Sequence, residues 1–145
     1  MNQEHYIKLQ HMYLSGSINK ELYDTVQIEV SQEKARISLE ATSKYFHAGN
    51  SLHGSVYFKM LDDAAYFAVN SIVFDSFVYT TSFNIQILRP FKTGIITAIG
   101  ALQFKSKNLF IADAVLYDEK NREVARGSGN FMKSDIALDE TIGYK

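Results

Sequence analysis

Residues 54–73 read GSVYFKMLDDAAYFAVNSIV, a long stretch in which apolar residues recur at helical spacing. Val56, Met60, Ala64 and Phe67 follow a period close to 3.6, and other apolar side chains fill most of the remaining circumference. A helix that is apolar nearly all round is expected inside a domain rather than on its surface. The stretch therefore predicts one buried central helix. The residues that fill most of the remaining circumference are Phe58, Leu61, Ala65 and Ala68.

Segments that alternate with a period of two lie on both sides of this helix. Residues 25–30 (TVQIEV) and 35–41 (ARISLEA) are joined by the polar connection SQEK and predict a hairpin. Four more strands are predicted after the helix, over residues 78–88, 95–105, 109–117 and 122–132. Short connections between them imply an antiparallel sheet, and one central helix requires that sheet to wrap around it. The predicted fold class is α+β, and the open side of such a sheet favours dimerisation.

The two ends of the chain complete the predicted domain. Residues 3–14 predict a short amphipathic helix, with Ile7, Leu9 and Leu14 as its apolar residues and with its end at Ser15–Gly16. We expect a single domain over residues 1–145, with a core at about 25–134 and a short tail at 135–145.

Composition narrows the function. A net charge of −1 argues against a nucleic-acid partner, because neutralising phosphates requires a basic excess. The sequence contains no Cys, which excludes disulfides, thiolate metal sites and a Cys nucleophile. It has no apolar run long enough to cross a bilayer and no apolar leader at its N-terminus, so we expect a soluble, cytoplasmic protein.

Two acidic residues interrupt the apolar helix. A buried carboxylate costs free energy unless it is paired, hydrogen-bonded or protonated. Asp62 and Asp63 point about 100° apart around the helix, so at least one is expected to line a cavity. Gly54 lies at the helix N-terminus, where free backbone N–H groups can polarise a carbonyl. Asp62 is the favoured functional residue, and Asp63 is interpreted as a structural one.

The spacing of Gly54 and Asp62 has a geometric consequence. Eight residues correspond to roughly 12 Å along a helix at about 1.5 Å per residue. One helix is therefore unsuited to present both groups to one substrate. Two copies related by a two-fold axis can do so, with Gly54 from one and Asp62 from the other. If the protein is an enzyme, its active site is predicted to lie between subunits.

The motif HGSVYFKMLDD at 53–63 resembles the HGG-x6-D helix entry of hotdog-fold thioesterases of the phenylacetate-pathway (PaaI-like) type. TTSFNIQILRPFKTG at 80–94 resembles that family's strand with a Thr or Ser and an Arg-Pro turn, and ARGSGNFMKS at 125–134 resembles its last strand. The resemblance covers roughly residues 25–134. It implies a hotdog fold, hydrolysis of an acyl-CoA thioester, no cofactor beyond the CoA of the substrate, and a homodimer or homotetramer.

The resemblance also implies roles for particular residues. Asp62 falls on the family's catalytic carboxylate, which acts as general base or nucleophile. Gly54 is expected to polarise the carbonyl, and Thr80 to hold the water or the carboxylate. His53, which opens the motif, and His47, which stands where many members have Asn, are the other predicted catalytic residues. Asn50 lies nearby in the sequence and could take the place of that Asn. Further candidates for substrate binding are Asn50, Ser55 (at the family's second Gly), Thr81, Lys105 and Lys107.

Other functions were weighed against this one. His47 and His53 together with an Asp could form a metal cluster, but no compact ligand spacing supports it, and no metal is predicted. The dyads of hotdog hydratases are missing from the sequence. A non-catalytic dimer that binds an acyl-CoA or another apolar ligand is the alternative, motivated by His47 and Ser55 at the two positions that depart from the family.

Overall fold

The computed structural model describes residues 2–145 as a six-stranded antiparallel sheet wrapped around a long helix. The helices are α1 (Gln3–Ser15), α2 (Ser17–Glu21) and α3 (Gly54–Asn70). The strands are β1 (Gln27–Ser31), β2 (Lys34–Ala41), β3 (Ser76–Ile87), β4 (Gly94–Lys105), β5 (Phe110–Tyr117) and β6 (Glu123–Ala137). They pair in the order β1-β2-β4-β5-β6-β3. This is the α+β hotdog architecture that the sequence predicts. Across the described range, no helix is long and apolar enough to span a membrane.

Helix α3 lies directly on the sheet because one position of β4 lacks a side chain. A Cβ atom added at Gly100 would overlap the carbonyl oxygen of Ala64 on α3. Glycine therefore lets the two backbones approach to a distance that any other residue would prevent. Met60, Leu61 and Ala64 are fully buried at this contact face. One apolar residue of the predicted buried helix is not enclosed, since Phe58 is 40% exposed.

The ends of α3 are set by side chains that bond to the backbone. The His53 imidazole accepts a hydrogen bond from the backbone N–H of Ser55 and caps the first turn. The predicted end at residue 73 is wrong, because the helix stops at Asn70. The Asn70 amide donates to the carbonyl of Val73, and Ser71 Oγ donates to the carbonyl of Ala68. Such bonds offer the backbone an alternative to a further helical turn.

Helix α1 ends at Ser15 as predicted, but its buried face differs from the predicted one. Leu9 is buried, whereas Ile7 and Leu14 are 59% and 41% exposed. The contact face is built mainly from aromatic and long polarisable side chains, which are as effective as aliphatic ones in covering a sheet. The short helix α2, which follows Gly16, is not predicted by the sequence pattern. The buried residues of α1 are His5, Tyr6, Leu9, Met12 and Tyr13.

The C-terminal segment is more ordered than the predicted tail at 135–145. Strand β6 runs on to Ala137, where it pairs with Ser76 at the start of β3. A short 3₁₀ helix, Glu140–Ile142, then turns the chain onto α1, and His11 Nδ1 lies 2.8 Å from the carbonyl oxygen of Gly143. The last residues therefore pack against the N-terminal helix rather than extending into solvent.

Candidate active site

Asp62 on α3 is hydrogen-bonded to Thr80 on β3. Thr80 Oγ1 donates to Asp62 Oδ1 over 2.8 Å. Burial raises the pKa of Asp62 from 3.8 to about 6, and the neighbouring Asp63 charge adds to this rise. The Thr80 hydrogen bond and the Lys59 ammonium act in the opposite direction. A carboxyl group with this pKa is mostly ionised at neutral pH and is still basic enough to take a proton from water.

The Asp62 carboxylate opens onto a cavity of about 350 Å³, which we call the Asp62 cavity. Three elements wall it: the corner between α1 and α2, one face of α3, and the first half of β3. Its size is at the lower end of the range for small-molecule sites. The lining residues are Met12, Tyr13, Ile18, Asn19, Lys59, Asp62, Asp63, Tyr66, Phe67, Phe77, Val78, Tyr79 and Thr80.

Thr80 and its neighbour Thr81 have different surroundings. The register between β3 and β6 shifts between Thr80 and Ser82, so that Thr81 sits in an irregularity of the strand. Thr81 is exposed, and its hydroxyl donates to the carbonyl of Asn130 over 3.1 Å. It does not line the Asp62 cavity. The structure thus brings Thr80 to Asp62, whereas Thr81, a predicted substrate-binding residue, bonds to the neighbouring strand.

Asp63 makes structural contacts, as the sequence interpretation proposed, but with the N-terminal helix rather than with the sheet. Tyr13 Oη donates to Asp63 Oδ2 over 2.6 Å, and Lys59 Nζ lies 2.6 Å from the same oxygen. The Lys59 ammonium also lies 4.8 Å from the centre of the Tyr23 ring. A half-buried carboxylate thus has both a hydrogen-bond donor and a cation. Asp63 ties α1 to α3 beside the Asp62 carboxylate.

Gly54 faces a second cavity of about 390 Å³, at the other end of the exposed side of α3. A Cβ atom added at Gly54 would meet no atom closer than Ile87 Cδ1, at 3.8 Å. Within one chain, then, nothing fills the space above this first turn. The cavity is also lined by His47, one of the predicted catalytic residues. The remaining lining residues are Ser51, Leu52, Tyr57, Ile87, Leu88, Arg89 and Pro90.

His47 is oriented by its own loop. Its Nδ1 accepts a hydrogen bond from the backbone N–H of Gly49, and its Nε2 lies 3.0 Å from Ser51 Oγ. Because Nδ1 accepts, the neutral ring carries its proton on Nε2 and donates to Ser51. Asn50 has a positive φ of 65° and does not line the Gly54 cavity. Of the two residues considered for the family's Asn position, the structure places His47 beside Gly54.

His53 and Ser55 bond to each other at the start of α3. His53 Nδ1 accepts from the Ser55 backbone N–H at 3.0 Å and lies 2.8 Å from Ser55 Oγ. Both residues are exposed, and neither lines the Gly54 cavity. Their contacts are those of a helix cap, which holds the Gly54 backbone in place. The catalytic role implied for His53 stays a prediction, as does substrate binding by Ser55.

Lys105 and Lys107 lie apart from both cavities. They line a third cleft, of about 500 Å³, together with Lys133 and the exposed ring of Phe74. Lys105 Nζ is 3.9 Å from Glu33 Oε2 on the surface. Neither lysine lines the Asp62 cavity or the Gly54 cavity. Within one chain, the two lysines predicted to contact the CoA phosphates therefore lie away from the predicted catalytic residues Asp62 and Gly54.

The contribution of the N-terminal helices to the site could not be found from the sequence. Tyr13 is separated from Asp63 by fifty positions, and no local motif signals their contact. The positions of Met12 and Ile18 in α1 and α2 show no pattern that links them to the central helix. Among residues 2–145, no three His, Asp or Glu side chains are grouped so as to hold a metal ion.

Comparison with known proteins places this chain in a family. A family model of the thioesterase superfamily matches residues 49–125, more than half of the chain. The chain therefore belongs to the thioesterase superfamily. A "Putative esterase" of Saccharolobus solfataricus is 27% identical over 116 residues, which cover 78% of this chain and 77% of that protein. Membership in the superfamily supports a thioesterase or esterase role.

Solved structures show the same fold. The PaaI protein from the phenylacetic acid degradation operon of Escherichia coli superposes with a TM-score of 0.83 at 20% identity, covering 94% of this chain and 97% of that one. The protein smu.793 of Streptococcus mutans, solved bound to acetyl CoA, has a TM-score of 0.71 at 15% identity, covering 79% and 92%. At these identities the likeness establishes the hotdog fold.

Proposed function

We propose that this protein hydrolyses acyl-CoA thioesters, with Asp62 as general base or nucleophile. The observation that carries the proposal is the Asp62 carboxylate, which Thr80 orients in a mostly apolar cavity and whose pKa burial raises to about 6. A structural carboxylate would be expected to have a cation or several donors, as Asp63 has. Perturbed titratable groups in clefts are typical of catalytic sites.

As a general base, Asp62 accepts a proton from a water molecule while the water oxygen attacks the thioester carbonyl carbon. The tetrahedral intermediate then collapses, the carbon–sulfur bond breaks, and CoA leaves as the thiolate. As a nucleophile, Asp62 instead attacks the carbonyl carbon and releases the thiolate, and water then hydrolyses the mixed anhydride. In both routes Thr80 fixes the carboxylate through one oxygen and leaves the reaction to the other.

We further propose that the Gly54 backbone N–H of a second copy polarises the carbonyl. Asp62 and Gly54 of one chain are roughly 12 Å apart along α3 and line separate cavities. Strand β3 is at an edge of the sheet and is twelve residues long, and the exposed Phe58 and Tyr79 rings lie on α3 and β3. A long edge strand with apolar neighbours is well suited to pairing with another copy. A two-fold axis beside β3 would bring Asp62 of one copy to Gly54 of the other, so that each active site has one residue from each copy.

The acyl-CoA class of substrate is supported by two considerations. The superfamily acts on thioesters, and one protein of the same fold was solved with acetyl CoA. The cleft lined by Lys105, Lys107 and Lys133 supplies ammonium groups that suit the phosphates of CoA. We assign these lysines to the nucleotide end of the substrate. No cofactor is required in this mechanism.

The test is thiol release from acetyl-, hexanoyl-, decanoyl-, hexadecanoyl- and benzoyl-CoA by wild type and Asp62→Asn. We expect Asp62→Asn to lower kcat about 10²- to 10⁴-fold, the usual contribution of a positioned base. Asp113→Asn is the matched control, since Asp113 is exposed on the face of β5 away from α3. Equal activity of Asp62→Asn and wild type would contradict the proposal. Saturable calorimetric binding of the esters without thiol release would instead favour the non-catalytic alternative.

A further inference from the structure

The corner between α1 and α2 forms one wall of the Asp62 cavity. Met12 and Ile18 supply its apolar side chains. Met12 is 7% exposed and lies deep in the wall, whereas Ile18 is 57% exposed and lies at the rim. The opposite wall is the first half of β3, with Phe77 and Tyr79. An acyl group that enters beside Asp62 must therefore pass between β3 and this corner.

The corner is fixed relative to the Asp62 carboxylate. Tyr13 Oη donates to Asp63 Oδ2 over 2.6 Å, and Asp63 adjoins Asp62 in the chain. The Tyr13 ring packs edge-on against Phe67, with 5.1 Å between centroids. The Asn19 amide donates to the carbonyl of Tyr13 over 2.7 Å and holds α2 against the end of α1. These contacts give the wall a defined position, so it can discriminate between acyl groups by size.

The cavity is small. At a share of about 30 Å³ per water molecule in the liquid, 350 Å³ corresponds to roughly twelve water-sized volumes. At roughly one water-sized volume per chain carbon, hexanoyl and decanoyl groups both fit within such a space, whereas the hydrocarbon of a hexadecanoyl group exceeds it. Enlarging the cavity requires either movement of the corner, which the Tyr13–Asp63 bond opposes, or removal of side-chain volume from its wall.

We propose that Met12 and Ile18 determine substrate specificity by setting the longest acyl group that the Asp62 cavity accepts. The inference rests on the proposed function, because it names the acyl class of that same site. Short and medium acyl groups are the substrates, and the N-terminal helices, rather than α3 or the sheet, impose the limit. Ile18 is apolar and exposed, and an acyl group bound beside it would cover it.

The experiment compares kcat/KM for hexanoyl-, decanoyl- and hexadecanoyl-CoA among wild type, Met12→Ala, Ile18→Ala and Ile18→Trp. We expect wild type to prefer hexanoyl- and decanoyl-CoA to hexadecanoyl-CoA. Met12→Ala and Ile18→Ala should raise the hexadecanoyl-to-hexanoyl ratio of kcat/KM about tenfold, the discrimination typical of a methylene-sized change in a pocket. Ile18→Trp should lower that ratio. Ile7→Ala is the matched control, because Ile7 is 59% exposed on α1 and does not line the cavity.

The inference would be overturned, and the proposed function left intact, if the Met12 and Ile18 variants had the same ratio of kcat/KM values between long and short esters as Ile7→Ala. If no variant and no wild-type preparation releases thiol, the proposed function fails. The length preference is then measured from calorimetric dissociation constants for the same three esters. A shift toward hexadecanoyl-CoA in Ile18→Ala would uphold the inference, and unchanged relative affinities would reject it.

Discussion

Thr80 Oγ1 donates a hydrogen bond of 2.8 Å to Asp62 Oδ1, which joins the edge strand β3 to the central helix α3. The contact orients the Asp62 carboxylate and gives it a hydrogen-bond donor in a cavity that is otherwise mostly apolar. It also sets how basic that carboxylate is, because a bond to the charged form lowers a pKa that burial raises. The catalytic and structural consequences of this pair can be measured separately.

Removing the Thr80 hydroxyl should alter both the rate of thioester hydrolysis and the pH dependence of that rate. In Thr80→Val, Asp62 loses a donor to its ionised form, so its pKa rises further and the acidic limb of kcat/KM moves to higher pH, by about one unit. The rate on the plateau should also fall, because the carboxylate is no longer fixed. Thr81→Val is the control, since Thr81 bonds to Asn130 and is not in the cavity. An identical pH profile for the two variants would argue against the Thr80 role.

The wild-type enzyme should lose activity in acid with a midpoint near the raised pKa of Asp62, about 6. The carboxylate is the reactive form, so kcat/KM should fall tenfold per pH unit below that midpoint and level off above it. Profiles from pH 4.5 to 8 measure this. Asp63→Asn removes a neighbouring negative charge that raises the pKa of Asp62. The acidic limb of the kcat/KM profile of this variant should therefore move to lower pH. A midpoint near 4 in wild type would show that Asp62 is not desolvated.

Asp62→Asn should be more stable than wild type at neutral pH. The pKa of Asp62 is higher in the folded chain, about 6, than its usual value of 3.8, so the folded state binds the proton more tightly. Stability is thus gained as pH falls from 6 toward 4, and the full cost of ionised Asp62 is present above pH 6. That cost is about 2–3 kcal/mol. Urea titrations at pH 4 and pH 7.5 should show a large difference between variant and wild type only at pH 7.5.

Mixed oligomers test the intersubunit site. Asp62→Asn should be inactive alone because it lacks the carboxylate, and Gly54→Val because its side chain would occupy the open space through which the carbonyl approaches the residue 54 N–H. When the two are unfolded together and refolded, about half of the dimers carry one copy of each, and one of their two sites combines an intact Gly54 with an intact Asp62. Activity should return to about a quarter of the wild-type level. A site within one chain would regain nothing, because every site would then keep one defect.

Gly100, which abuts α3 from strand β4, and Gly54, the first residue of α3, should respond differently to alanine. Gly100→Ala places a Cβ atom on the Ala64 carbonyl, so α3 and β4 must separate, and we expect the free energy of unfolding to fall by about 3 kcal/mol or more. Gly54→Ala meets only Ile87, at 3.8 Å, and should change stability little. Chemical denaturation of both variants measures the contrast. If both variants lost the same free energy of unfolding, Gly100 would not approach the Ala64 backbone as closely in solution as it does in the structure.

The sequence predicted the central helix and the six strands because these depend on local periodicity, and the family resemblance implied the hotdog arrangement that the structure shows. The errors of the sequence prediction lie where side chains override that periodicity. Asn70 and Ser71 end α3 before residue 73 by bonding to the backbone. In α1, Ile7 and Leu14 are the conspicuous apolar residues, yet aromatic residues form the buried face.

The family resemblance implied that Thr80 holds either the water or the carboxylate, and in the structure its hydroxyl donates a hydrogen bond to Asp62. Thr81 does not contact Asp62, because it sits at the register shift of β3 and bonds to Asn130 instead. That register shift cannot be predicted from the composition of the strand. Asn50 and His47 were both considered for the family's Asn position, and in the structure His47 lines the Gly54 cavity whereas Asn50 does not. A role for His47 in place of that Asn stays a prediction.

By itself, the sequence determined the fold class and singled out Asp62 and Asp63 as carboxylates in an apolar helix, because helical and strand periods and the cost of burying charge are local properties. Only the tertiary structure decided what surrounds those carboxylates. Contacts such as Tyr13 with Asp63 join residues fifty positions apart, and no local pattern encodes them. The wall that α1 and α2 build around Asp62 follows from packing of the whole chain, and so does the separation of its cavity from that of Gly54.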